Sequence, residues 1–310
     1  MRIVIALGGN AILQRNEPLE ENLQRKNIAK ACEVIAQIAH EHEVIISHGN
    51  GPQVGLLALQ NDAYKDVSPY PLDVLGAETE GMIGYIFSQE LKNCIHTKNV
   101  VALLTQTLVD ANDPAFQNPT KFVGPVYTEE QAHKLAKEKG WVVKPDGQYF
   151  RRVVPSPQPK SIIEEPVIDY LLKMDDLMVI CTGGGGVPVI YDNDENLCGV
   201  EAVVDKDCAS NVLAQAINAD AYIMLTDVVS VETHFGSPDS RKIKQATPEQ
   251  MERYDFAKGS MEPKVNSAVS FVKAGGKFAA IGSLYDLVKI VAGKTGTRIV
   301  AGSQEISFYG

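Results

Sequence analysis

Apolar positions in this chain follow two rhythms that alternate along its length. Short unbroken runs, Ile3-Val4-Ile5-Ala6-Leu7, Val44-Ile45-Ile46, Val100 to Thr105, Leu177-Met178-Val179-Ile180-Cys181, Ala221 to Leu225 and Phe278 to Ile281, are rich in β-branched side chains and lack polar alternation. Such runs predict strands buried on both faces, as in a parallel sheet covered by helices. Between them lie stretches of helical spacing. Glu20 to Glu41 carries Leu23, Ile28, Ala31, Val34, Ile35 and Ile38 on one stripe, and Leu72 to Asn93, Glu165 to Met174, Cys208 to Asn218 and Val265 to Ala274 also read as helices. A short helix is expected at Pro248 to Arg253, Asp207 stands where the Cys208 helix needs its N-cap, and Thr297 to Gly310 reads as a hairpin around Ala301-Gly302-Ser303. The succession of strand and helix predicts an α/β fold.

Three of these strands end in glycine: Gly8-Gly9-Asn10, Gly49-Asn50-Gly51 and Gly183 to Gly186. Parallel strands deliver such turns to one carboxyl edge, where open α/β sheets bind ligands. Without a Cβ, the backbone N–H groups can approach an anion closely, and Asn10 would add a neutral donor. Four consecutive glycines are costly to order, so the three turns together read as an anion-handling cleft that includes Gly184 and Gly185. From Asp110 to Lys160 the rhythm breaks. Asn118-Pro119-Thr120-Lys121, Gly124-Pro125, Lys144-Pro145-Asp146-Gly147 and Pro155-Ser156-Pro157 surround short strand-like runs and a helix near Glu129 to Lys139, which predicts an inserted lid subdomain over 110–160.

Composition narrows the class. The chain has 310 residues, 45% of them hydrophobic, and a formal net charge of −10, which argues against a nucleic-acid partner. Its five cysteines are scattered and never form a Cys-x-x-Cys pair, so neither a disulfide framework nor a zinc site is expected, and a reducing cytoplasm fits best. Without a run of about 18 apolar residues, membrane insertion is disfavoured. No resident metal site is expected. The usual nucleotide fingerprints fail: neither glycine cluster satisfies G-x-G-x-x-G, and Gly293-Lys294-Thr295 lacks the upstream glycine of a P-loop.

Candidate chemistry rests on lysines. Lys206 lies between two aspartates and Lys264 follows a proline at a helix start, so both precede helix N-termini that favour anions. Together they could flank a transferring phosphoryl group, with Asp207 holding them in place. His48, a lone histidine at a strand end, reads as a structural hydrogen-bonder, and no histidine accompanies Cys181 or Cys208 at the spacing of a thiol nucleophile. Arg151-Arg152 reads either as a surface pair on the insert or as a clamp over an anionic substrate, and on the second reading Arg152 joins the phosphate set.

The combination Ala6 to Ala11, Ser47 to Gly55, Asn118 to Lys121, Arg152 to Pro157, Gly183 to Pro188, Val204 to Asp207 and Gly259 to Lys264 resembles carbamate kinases, within the amino acid kinase superfamily. The resemblance covers nearly the whole chain in order. It implies a three-layer αβα sandwich around a mainly parallel sheet, with residues 1–195 mainly binding carbamate and phosphate and 196–310 mainly binding nucleotide. It further implies a homodimer that moves phosphate reversibly between carbamoyl phosphate and MgADP, giving ATP and carbamate, with Mg2+ held mainly by the nucleotide phosphates. Carried over by position, Lys121, Lys206 and Lys264 handle the phosphoryl group and Asp207 organises them. Gly8, Gly9, Asn10, Gly49, Asn50 and Gly51 line the carbamate and phosphate end, and Thr226, Asp227, Met261 and Lys264 lie near the nucleotide. Sister kinases often carry a lysine two residues before the Gly-Gly, where this chain has Ala6. Positive charge must then be imported, with Lys121 of the insert as the candidate. The alternatives are a kinase of another small acid or amide, or a pocket that binds without turning over.

Overall fold

A computed structural model of the chain describes residues 1–14 and 17–310, apart from the side chain of Asn10. β1 (Arg2–Leu7) leads through α1 (Glu21–Ala39) to β2 (Glu43–His48), and α2 (Gly51–Ala63) and α3 (Leu72–Cys94) precede β3 (Asn99–Ala102) and β4 (Gln106–Val109). β5 (Lys121–Tyr127), α4 (Glu129–Lys139), β6 (Val142–Asp146), β7 (Tyr149–Val154) and β8 (Pro159–Ile162) follow, then α5 (Glu165–Leu171), β9 (Leu177–Ile180), β10 (Val187–Tyr191), β11 (Leu197–Gly199) and α6 (Lys206–Ala216). The remainder holds β12 (Ala221–Thr226), β13 (Glu232–Thr233), β14 (Arg241–Ala246), α7 (Pro248–Met251), α8 (Met261–Lys273), β15 (Phe278–Ser283), α9 (Leu287–Val291), β16 (Thr297–Ile299) and β17 (Ser307–Phe308).

The central sheet runs β13-β14-β16-β15-β12-β1-β2-β9-β3, with β17 on β14. From β15 to β3 every neighbouring pair is parallel. β1 lies at its heart, and its apolar run has a simple cause: Ile3, Ile5 and Leu7 face one layer with α1, α3 and α9, while Val4 and Ala6 face the other with α5, α6 and α8. Successive side chains of a strand point to opposite faces, so a strand covered on both sides must be apolar throughout. The α/β architecture with helices on both sheet faces is the one expected.

Residues 121–154 form the separate three-stranded sheet β5-β7-β6 with α4, inside the stretch expected to be inserted. Thr128 and Gln131 close a capping box on α4, and Gly140 ends it in the left-handed conformation. Val123 and Val154 seat this subdomain on Val54 of α2 and on Leu72 and Leu75 of α3. A further sheet, β11-β10-β4-β8, joins the flanks of the insert to the body.

The expected C-terminal hairpin does not form. β16 inserts between β14 and β15, and β17 pairs with β14 from the other side. The central position gives β16 backbone partners on both edges, which a two-stranded hairpin cannot. The Val100 to Thr105 run also divides, because the chain leaves the central sheet after Ala102 and starts β4 at Gln106. Among the described residues no helix is long and apolar enough to cross a membrane.

Candidate active site

Four parallel strands end side by side at one edge of the central sheet. Leu7 lies level with His48 on one side and with Leu225 on the other, and Ile180 ends β9 beside Ile46. The three glycine turns therefore emerge together, as their sequence positions predict. Gly8 N–H donates to Leu225 O at 2.8 Å and Gly49 N–H to Leu7 O at 3.1 Å, locking the first two turns to the sheet. Asn50 donates to Thr79 Oγ1 at 2.8 Å. In the third turn Gly184 and Gly185 have φ of 65° and 96°, and a Cβ on Gly185 would lie 2.3 Å from Val204 O. Only glycine fits that position, which accounts for part of the costly glycine run.

The lysines meet at the start of α6. Asp205, not Asp207, is its N-cap: Oδ1 accepts from Asp207 N–H at 2.9 Å and Cys208 N–H at 3.4 Å, while Oδ2 accepts from Lys121 Nζ at 2.6 Å. Both aspartates suit a cap chemically, but the helix begins two residues earlier than its apolar spacing suggests. Asp207 is thereby freed for another task. Its Oδ1 accepts from Lys206 Nζ at 2.5 Å and its Oδ2 from Lys264 Nζ at 2.7 Å, so one carboxylate bridges two ammonium groups from α6 and α8.

Burial opposes charge on all three groups. For Asp207 the two ammoniums overcome it and hold the carboxyl well below the usual carboxylate range. Burial and the neighbouring Lys264 lower Lys206, whereas Asp207 outweighs burial at Lys264 and raises it. Burial likewise opposes ionisation of Asp205, which Lys121 brings below its ordinary value. The result is a compact cationic pair, balanced by one anion, at an edge lined with backbone amides.

A cleft of about 570 Å³ runs along this edge. Of the candidate residues, Gly8, Gly9, Gly49, Asn50, Gly51, Lys121, Gly184, Lys206, Asp207, Thr226, Asp227, Met261 and Lys264 line it. The side chain of Asn10 lies outside the described residues. Gly185 does not line the cleft. It packs behind the turn against Val204. Arg152 does not line it either: its guanidinium bonds Glu201 at 2.9 Å, lies 4.8 Å from the Trp141 ring and borders a neighbouring cavity between the insert and α3.

His48 is fully buried, stacked 5.8 Å from Phe87, with burial lowering its pKa to about 4. Burial pushes the Cys208 thiol up to about 12 and the Cys181 thiol higher still, so neither supplies a thiolate at neutral pH. Sequence reasoning missed Asp205 as the partner of Lys121, and it missed Glu80, whose Oε1 accepts from Gly183 N–H at 2.9 Å. A signal existed for the second: Thr79 and Glu80 interrupt the buried stripe of α3 between Leu75 and Ile83. The cleft wall also includes Phe235 and Phe256, which the motifs did not single out.

The chain matches the amino acid kinase family over residues 1–283. A carbamate kinase of Haemophilus influenzae is 55% identical over 310 residues, spanning 100% of both chains. One of Rhizobium meliloti is 51% identical over 312 residues, covering 100% of this chain and 96% of the relative. Among solved structures, carbamate kinase from Giardia lamblia bound to AMP-PNP superposes with a TM-score of 0.87 at 42% identity, over 96% of this chain and 98% of that one.

Proposed function

The chain belongs to the amino acid kinase family, and from that premise we propose that it catalyses reversible phosphoryl transfer between carbamoyl phosphate and MgADP, giving ATP and carbamate. The observation that carries the reading is the Asp207 bridge, which holds Lys206 and Lys264 in the cleft onto which all three glycine turns open. Phosphoryl transfer asks little covalent chemistry of a protein. It asks for positioning and for positive charge around the equatorial oxygens of the moving group.

The cleft has the size of ordinary small-ligand sites, about 300–1,000 Å³. Thr226, Asp227 and Met261 mark the nucleotide end, and Gly8, Gly9 and Gly49 to Gly51 the carbamoyl phosphate end. Lys206 and Lys264 neutralise the phosphoryl oxygens in transit, and Lys121 brings a third cation from the insert. The described residues offer no cluster of three His, Cys, Asp or Glu side chains for a resident metal. Mg2+ bound with the nucleotide phosphates would supply further charge neutralisation there. The active species is taken to be a homodimer.

A coupled assay of ATP formation, run with a panel of acyl phosphates and MgADP, tests the proposal. Carbamoyl phosphate should give the highest kcat/KM. Preference for another acyl phosphate would move the chain to a different substrate, and nucleotide binding without transfer from any of them would make it a binding protein.

A further inference from the structure

Behind the third glycine turn lies a buried pair that the chemistry above does not use. Glu80 of α3 is 3% exposed and His48 0%. Glu80 Oε1 accepts two hydrogen bonds, from Thr105 Oγ1 at 2.5 Å and from Gly183 N–H at 2.9 Å. Its Oε2 has no partner, nor has His48 Nε2. The two side chains converge on one point: a Cβ on Gly183 would lie 2.6 Å from His48 Nε2 and 2.8 Å from Glu80 Cγ.

Donor and acceptor counting decides what the two orphaned atoms are. His48 Nδ1 sits 3.1 Å from Gly49 O, and a carbonyl only accepts, so Nδ1 carries the proton. Neutral Nε2 is then a bare acceptor. A carboxylate at Glu80 would leave one charged oxygen buried without a donor, at high cost, whereas a carboxylic acid buries no charge there. We propose that Glu80 is a positioning residue for the Gly183–Gly186 turn, working as a neutral carboxylic acid whose Oε1 holds Gly183 N–H while Oε2 carries the proton.

Glu80 thereby holds the third turn through Gly183 N–H without placing a charge behind it. The adjacent Thr79 accepts from Asn50, so one position pair on α3 sets both turns. A negative charge at Glu80 would face the turn from behind and repel the anion it holds.

The ionisable groups around the pair agree. Burial and nearby Glu164 raise the Glu80 pKa to about 8 against the bonds from Thr105 and Gly183. Lys206 adds to burial in disfavouring an imidazolium at His48. Cys181, raised by burial, stays a thiol.

This inference rests on the kinase reading for its kinetic test and stands apart from it for its spectroscopic one. Glu80→Gln retains an acceptor for Gly183 and stays neutral at every pH, whereas Glu80→Ala retains no acceptor. In the wild type, kcat/KM for carbamoyl phosphate should fall as pH rises through about 8. Glu80→Gln should match wild type within about threefold at pH 7 and lose that part of the alkaline fall, while Glu80→Ala raises KM about tenfold or more. Identical alkaline limbs in wild type and Glu80→Gln, or a Glu80→Gln variant as impaired as Glu80→Ala, would overturn the proposal. Difference infrared spectra of wild type against Glu80→Gln should show a protonated carboxyl band at pH 7 that disappears above pH 8, with no substrate present. A carboxylate band at pH 7 overturns the neutral acid whatever the substrate, and the protonated band in a chain without carbamoyl phosphate turnover upholds the acid while removing the kinase reading.

Discussion

Replacing Asp207 by Asn changes one atom and removes the only charge shared by Lys206 and Lys264 in the described bridge. The two contacts are 2.5 and 2.7 Å, and the side chains are 3%, 13% and 16% exposed for Asp207, Lys206 and Lys264. With an effective dielectric constant of about 20, each contact corresponds to a gross attraction of roughly 6 kcal/mol, most of which desolvation offsets. Removing one partner of a buried pair costs about 3–5 kcal/mol net, because charge is left buried and uncompensated. Asn keeps one acceptor for one lysine, and the other can shed its proton, so the loss at pH 7 should fall within that range rather than at twice its value. The pH dependence has a defined sign. The folded-state pKa of Asp207 is depressed, so its contribution is present above the ordinary carboxylate value of about 4 and fades as pH falls below it. Urea unfolding of both proteins should therefore show a gap that is widest near neutrality, narrows in acid, and narrows again in alkali as Lys206 loses its proton. In the ATP-forming direction kcat should drop by about a hundred- to a thousandfold, the loss typical of one misplaced transition-state donor. A stability change below about 1 kcal/mol with kcat within threefold of wild type would refute the bridge, since a buried charge pair cannot be removed so cheaply.

Gly185→Ala must place a side chain at φ 96° with its Cβ 2.3 Å from a backbone oxygen. It should cost at least the ~1–3 kcal/mol of local backbone strain and weaken carbamoyl phosphate more than nucleotide, read by urea unfolding and by the two KM values. Lys121→Ala removes the ion-pair partner of the mostly buried Asp205, so stability should fall, by less than the ~3–5 kcal/mol of a fully buried pair because Lys121 is 37% exposed, while kcat falls tenfold or more. Hydrogen exchange over residues 121–154 should slow when nucleotide and a carbamoyl phosphate analogue are added together, and an unchanged pattern would count against closure of the insert.

The parts of the fold that sequence revealed are those where one residue's environment dictates its type. β1 is apolar throughout because both faces are covered, and the glycine turns stand out because a left-handed backbone and close approach exclude a Cβ. What stayed hidden depends on partners distant in sequence. Asp205 and Asp207 are equally good caps in isolation, and only the two lysines and Lys121 divide their roles. Arg152 looked available to an anion until Glu201 and Trp141 occupied it. The tail had turn residues for a hairpin, yet β16 gains two neighbours inside the sheet. Glu80 carried its signal as a polar side chain on an apolar stripe, but its meaning depends on Gly183 and Thr105, which reach it from elsewhere in the chain.

On the proposed reaction, two lysines gathered by Asp207 move a phosphoryl group from carbamoyl phosphate to ADP. Phosphorus NMR of the purified chain with carbamoyl phosphate and MgADP tests it most directly, with Lys264→Ala beside the wild type. The wild type should convert the acyl phosphate signal into ATP signals mole for mole, and the variant should do so a hundredfold or more slowly. No ATP from the wild type would exclude the reaction, and wild-type turnover from Lys264→Ala would exclude the role of that lysine in it.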